Sequence, residues 1–167
     1  MKLTFQVGDT SQNHSLAVTE YEKIWAELGD DIVRAYEQIG GYPFPQKQSI
    51  ASIYNGISQS HPLKFQAHKD HDLKVGDLIH ELGHVYIVDG ESSIPFDEEY
   101  GDRNTRSHKK LFLLLYDVLV AVCGEQFADR EVEREREFAS AYDEAWTWAL
   151  KMTADQRKAK FAETIKK

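Results

Sequence analysis

One ten-residue segment constrains this chain more than any other: Asp77-Leu78-Ile79-His80-Glu81-Leu82-Gly83-His84-Val85-Tyr86. His80 and His84 stand four residues apart. On a helix that spacing projects both imidazoles from one face, one turn above the other. Two neutral imidazoles so placed can bind one tetrahedral zinc, with bonds of about 2.0–2.1 Å. Glu81 follows the first histidine, which swings its carboxylate toward a water on the metal without making it a ligand. Leu78, Ile79, Leu82 and Val85 supply the apolar surroundings that bury the segment. Gly83 costs about 1 kcal/mol of helix propensity against alanine, and its small size would let another segment come close to the metal.

The flanking chain predicts an α+β domain, mostly helical, with a small mixed or antiparallel sheet in the N-terminal half. Leu3, Phe5 and Val7 alternate as a strand. A capping box at Thr19-Glu20-Tyr21-Glu22 opens a helix whose apolar stripe runs from Tyr21 to Ile39 and stops at Gly40-Gly41. Strands follow near Gln48–Tyr54 and Leu63–His68, joined through the Asn55-Gly56 turn signal. Asp72 caps the helix that carries the two histidines, and Asp89-Gly90 ends it. Glu91–Asn104 reads as an acidic loop. A buried helix spans Thr105–Cys123. One long charged helix then covers Glu125–Met152, in which the mixed-sign run Arg130–Glu137 reads as a solvated face and Trp146 and Trp148 as packing residues. Thr153-Ala154-Asp155-Gln156 is a second capping box, opening the last helix.

A length of 167 residues favours a single domain over 1–167. With one cysteine, Cys123, no intrachain disulfide can form, which fits a reducing compartment. Leu3–Val7 alternates too soon into Gly8-Asp9 to serve as a secretory signal, and the most apolar stretch, Leu111–Cys123, is interrupted by Asp117 and falls short of a membrane span. The expected setting is therefore soluble and cytoplasmic, with no membrane partner. The net charge of −8 argues against nucleic acid as a partner on its own. The one basic cluster, Arg157, Lys158, Lys160, Lys166 and Lys167, reads as a solvated helix end.

His80-Glu81-Leu82-Gly83-His84 resembles the active-site helix of the zincin metallopeptidases. The metzincin branch is excluded, because Ile87 and Gly90 stand where it requires a glycine and a third histidine. Two candidates for the third zinc ligand remain. His108, followed four residues later by Phe112, resembles the third ligand of SprT-like (Spartan-type) zincins. Glu125, with Asp129 four residues on, resembles the second motif of gluzincins, in which a helical glutamate binds zinc and the aspartate orients a ligating histidine. His108 is favoured. A shorter match, Glu98 with Asp102, lies in loop-like sequence. His68 and His71 precede the metal helix and are candidates to line the cleft. Tyr86, Tyr100 and Tyr116 are candidate hydrogen-bond donors to a transition state.

The resemblance implies a zincin-like fold and a Zn2+-dependent peptidase acting on peptides or proteins, with Glu81 as general base. It also implies a substrate chain extended along an edge strand, for which Leu63–His68 is the candidate. Two other readings share the motif: a non-catalytic zinc-binding regulatory or interaction domain, and a zinc hydrolase of non-peptide amides.

Overall fold

The fold is seen in a computed structural model that describes residues 1–8, 14–67, 70–89 and 101–164. The acidic stretch Glu91–Tyr100, and with it Glu98 and Tyr100, lies outside the described residues, as do His68, Lys166 and Lys167.

The architecture is α+β: mostly helical, with one small mixed sheet. Strand β1 (Lys2–Val7) pairs in parallel with β2 (Gln48–Tyr54), setting Phe5 opposite Ala51. Strand β2 pairs in parallel with β4 (Leu63–Gln66), and β4 pairs antiparallel with the two-residue β3 (Gln59–Ser60). The order β1-β2-β4-β3 corrects two expectations. Asn55-Gly56 closes no hairpin between β2 and β4. The chain continues through Ile57 and Ser58 into β3 and reverses at His61-Pro62, so β2 and β4 run the same way. Nor is Leu63–Gln66 a free edge, since Lys64 and Leu63 pair with Gln59 and Ser60.

Alternation buries one face of the sheet. Leu3, Phe5, Ala51, Ile53, Leu63 and Phe65 point inward, and the ring of Tyr21 stacks between Phe5 (5.6 Å) and Phe65 (5.0 Å). Tyr21 belongs to α1 (Ser15–Gly40), which starts four residues earlier than its capping box suggests. Thr19 lies inside the helix, its hydroxyl donating to the Ser15 carbonyl, and Ala17 buries against the core. The helix ends as expected, on a left-handed Gly41 (φ 84°) whose N–H bonds the Glu37 carbonyl. There a side chain would strain the backbone.

Helix α2 (His71–Asp89) carries the His80–His84 segment. Its cap is Asp70, whose carboxylate accepts from Leu73 N–H at 2.9 Å, and Asp72 sits in the first turn paired with Arg130. Gly83 is needed for close approach, though on the core side rather than toward a metal. A Cβ there would lie 2.5 Å from Leu111 Cδ1 and closer still to the Tyr36 hydroxyl. That hydroxyl donates to the Ile79 carbonyl at 2.8 Å, tying α1 to α2.

Helix α3 (Arg103–Cys123) is the centre of the molecule, with Leu111–Leu115, Val118 and Leu119 all buried. Five consecutive buried residues, Leu111–Leu115, span more than one turn and must be surrounded, and α1, α2, α4, α5 and α6 pack on the helix. Asp102 caps it through Thr105 N–H. The expected long charged helix is in fact two: α4 (Glu125–Phe138) and α5 (Ser140–Ala149), broken where Ala139 is extended. Helix α6 (Ala154–Thr164) opens on the reciprocal box between Thr153 and Gln156. Arg157 corrects the reading of a solvated basic end, because it is buried and bonded twice to the Asp117 carboxylate, at 2.6 and 3.0 Å. No helix among the described residues is long and apolar enough to cross a membrane.

Candidate metal centre

Helix α2 turns Leu78, Ile79, Leu82 and Val85 into the core, and this fixes where its remaining faces point. His80 and His84 face the start of α3, from which His108 comes to meet them. The three rings form a compact triangle, with centroids 5.0 Å (His80–His84), 5.5 Å (His80–His108) and 5.0 Å (His84–His108) apart. One ring nitrogen from each lies within 4.8 Å of the other two. His80 Nε2 and His84 Nε2 are 3.2 Å apart, close to the separation of roughly 3.3 Å expected for two ligands of one tetrahedral zinc.

Partners on the far side of two of the rings set their orientation. His108 donates from Nδ1 to the Asn104 carbonyl at 2.8 Å, one turn back on its own helix. Its Nε2 is thereby turned toward the other histidines, where it is buried without any hydrogen-bond partner. Such an atom costs about 1–3 kcal/mol unless something satisfies it. His80 Nδ1 lies 2.7 Å from Glu135 Oε1, and the other oxygen of Glu135 accepts from the Trp146 indole N–H at 2.8 Å. Both Nε2 atoms are left for a shared ligand, the arrangement in which a carboxylate steers a ligating imidazole.

Glu135 is the residue of this cluster that sequence reasoning missed. It belongs to the mixed-sign run read as solvated, yet it is buried, as is Glu131. A signal for it exists: Ala128, Glu131, Val132 and Glu135 recur at intervals of three and four, placing two acids on the apolar stripe of α4. Removing the charge while keeping the shape, in Glu135→Gln, is expected to weaken zinc affinity by about 10–100-fold. A competition titration against a chromophoric chelator measures it.

Burial and charge divide the three rings. Burial opposes protonation of His80, but the Glu135 carboxylate, its hydrogen bond, and the nearby Glu81 and Asp77 outweigh that and raise its pKa to about 9. His84 is pushed well below the ordinary histidine range, first by burial and then by the neighbouring His80. His108 is lowered to about 4 for the same two reasons, burial and then His80. At neutral pH the metal-free site therefore holds one imidazolium and two neutral rings, with His80 Nε2 donating to His84 Nε2.

Glu81 lines a pocket next to His80, beside Asp77, Ser58 and Tyr142. The pocket offers about 40 Å3, room for two or three waters. Nothing in the sequence singles out Tyr142, yet its ring lies 4.0 Å from His108 and stacks 5.8 Å from His80.

The other candidates lie elsewhere. Glu125 is exposed in the first turn of α4, and among the described residues no other histidine, cysteine or carboxylate joins the three-histidine group. Asp129 accepts from the Tyr116 hydroxyl at 3.0 Å, which occupies both outside the site. Tyr86 is fully buried, stacked 4.2 Å from Tyr42, and its hydroxyl donates to the Tyr42 carbonyl. His71 is exposed at the start of α2, beside Glu20 and Lys74. Compared with known proteins, the chain matches no family model, no curated sequence and no solved structure.

Proposed function

We propose that the protein is a zinc-dependent peptidase of zincin type, in its SprT-like form, with His80, His84 and His108 as ligands and Glu81 as general base. The observation that carries this reading is the buried, partnerless Nε2 of His108, aimed at two further imidazoles whose neighbour in sequence is a pocket carboxylate. The donor set fits zinc, since all three are imidazoles, the His80 and His84 nitrogens stand at near-tetrahedral spacing and the His108 nitrogen lies within 4.8 Å of both. Three protein ligands leave a coordination position open, as catalytic sites do and closed structural sites do not.

A zinc ion held there would supply Lewis acidity, lowering the pKa of a coordinated water toward about 7 and polarising the scissile carbonyl. The protein's own groups do the rest. Glu81 takes the proton from the attacking water and returns it to the leaving amine. Glu135, pinned by Trp146, keeps the His80 proton on Nδ1, so that Nε2 faces inward. Burial of the triangle keeps His84 and His108 neutral and ready to coordinate. The test is hydrolysis of a quenched-fluorescent peptide library by the zinc-loaded protein. Turnover should vanish on chelation and return when zinc is restored.

The protonation pattern adds a pH dependence. His80 must give up one proton to coordinate, whereas His84 and His108 have none to lose at neutral pH. Zinc affinity should therefore rise about tenfold per pH unit from pH 6.5 and level off above about 9, with one proton released per ion. Three unperturbed histidines would instead give a profile flat above about pH 7 and falling with a slope nearing three under acid. Zinc titrations in several buffers separate the two.

A further inference from the structure

The pocket beside His80 and Glu81 joins a charged floor to an apolar rim, and the two halves differ in how well they are satisfied. On the floor, the Asp77 carboxylate accepts from the Ser58 hydroxyl and lies 3.6 Å from Arg134. Arg134 is also bound twice by Glu131, at 2.5 and 3.0 Å. Glu135 is taken by His80 and Trp146. Each of these groups has a hydrogen-bond or ion-pair partner within the protein.

The rim is not covered. Ile57 is 67% exposed and Phe138 56% exposed, and both border this pocket. They are two of the five exposed large hydrophobic side chains among the described residues, and they come from distant parts of the chain. Scattered apolar residues need no explanation, but two converging beside a candidate reaction centre mark a binding surface.

Both residues are held in place by their surroundings. The loop carrying Ile57 is pinned on each side: the Tyr54 hydroxyl donates to the Ile57 carbonyl, and Ser58 Oγ accepts from Gln66 N–H while donating to Asp77. Phe138 is the last residue of α4, displayed where Ala139 turns extended, and its ring lies 5.5 Å from that of Tyr142. Tyr142 packs in turn on His108. The apolar rim is thus continuous with the three-histidine site.

We infer that Ile57 and Phe138, with the ring of Tyr142, form a subsite for a large apolar side chain close to the scissile bond, so that the favoured substrates are peptides carrying leucine, isoleucine or phenylalanine there. This rests on the peptidase reading. The occupant is a side chain of an extended peptide, because the rim borders the same pocket as Glu81, while Asp77, Arg134 and Glu135 on the floor are already bonded within the protein.

The test is calorimetric titration of the full-length, zinc-loaded Glu81→Gln protein with hexapeptides in which leucine replaces serine at one position at a time. One position should bind about tenfold tighter with leucine than with serine. That gap should shrink to about twofold in both Phe138→Ser and Ile57→Ser, with melting temperature and zinc content retained. Using both variants guards against one of them misfolding. Absence of any leucine preference, or a gap that survives in both variants, overturns the subsite. Wild-type turnover of the same peptides judges the peptidase separately. Cleavage with no apolar preference keeps the peptidase and loses the subsite, while rim-dependent binding without cleavage does the reverse.

Discussion

Replacing Glu81 by glutamine should reduce peptide hydrolysis by about 10²–10⁴-fold while one zinc per chain remains bound. The expected loss is large because, in the proposed mechanism, Glu81 would supply the one step that an amide of the same shape cannot perform, taking a proton from water and delivering it to the leaving nitrogen. The retention of zinc follows from position. Glu81 is next to His80 in sequence but outside the group of three nitrogens that would coordinate, so its side chain can change without removing a ligand. Fold should be kept as well, since glutamine fills the same 8%-exposed place on α2. Metal analysis and steady-state kinetics on one preparation decide the matter. Wild-type rates in a zinc-replete variant would remove Glu81 from the mechanism.

His108→Ala should release the metal. Zinc in small protein sites is bound by roughly 10–16 kcal/mol over four ligands, or about 3 kcal/mol for each, so losing one of three histidines should weaken binding by at least two orders of magnitude. The matching control is Glu125→Ala, which should bind zinc as the wild type does, because that exposed residue stands outside the triangle. The metal-free proteins should show a second contrast. His108 Nε2 is buried without a partner, so the metal-free chain carries a cost that alanine removes, partly offsetting the packing lost around Phe112 and Tyr142. Metal affinity should fall far more than metal-free stability does, the mark of a residue kept for a ligand. Chelator competition and urea denaturation measure the two effects side by side.

What is legible in the sequence divides along physical lines. A four-residue spacing on an amphipathic segment has one helical meaning, so the places of His80, Glu81 and His84 follow from spacing alone. His108 can be named because it stands just before the most apolar stretch of the chain, Leu111–Cys123, which has to be buried. Glu135 and Tyr142 are hidden by an assumption about a single element. In one straight helix from Glu125 to Met152, Glu135 and Trp146 would lie roughly 16 Å apart along the axis. The extended Ala139 folds α5 back, so that the Trp146 indole reaches Glu135 at 2.8 Å and Tyr142 covers His108. Alanine carries no sequence signal for a break, which comes instead from packing both helices on α3. The sheet eludes sequence reasoning for a similar reason. Asn55-Gly56 is a strong local turn signal, yet the inner-facing pattern of Ala51, Ile53, Leu63 and Phe65 is satisfied equally by parallel pairing, and the reversal falls at His61-Pro62.

Zinc K-edge X-ray absorption on the stoichiometrically loaded protein tests the three-histidine centre most directly. A first shell of three imidazole nitrogens and one or two water oxygens, near 2.0–2.1 Å, is the expected spectrum. A shell filled by four protein ligands, or one with fewer than three imidazoles, would contradict an open catalytic site built on His80, His84 and His108.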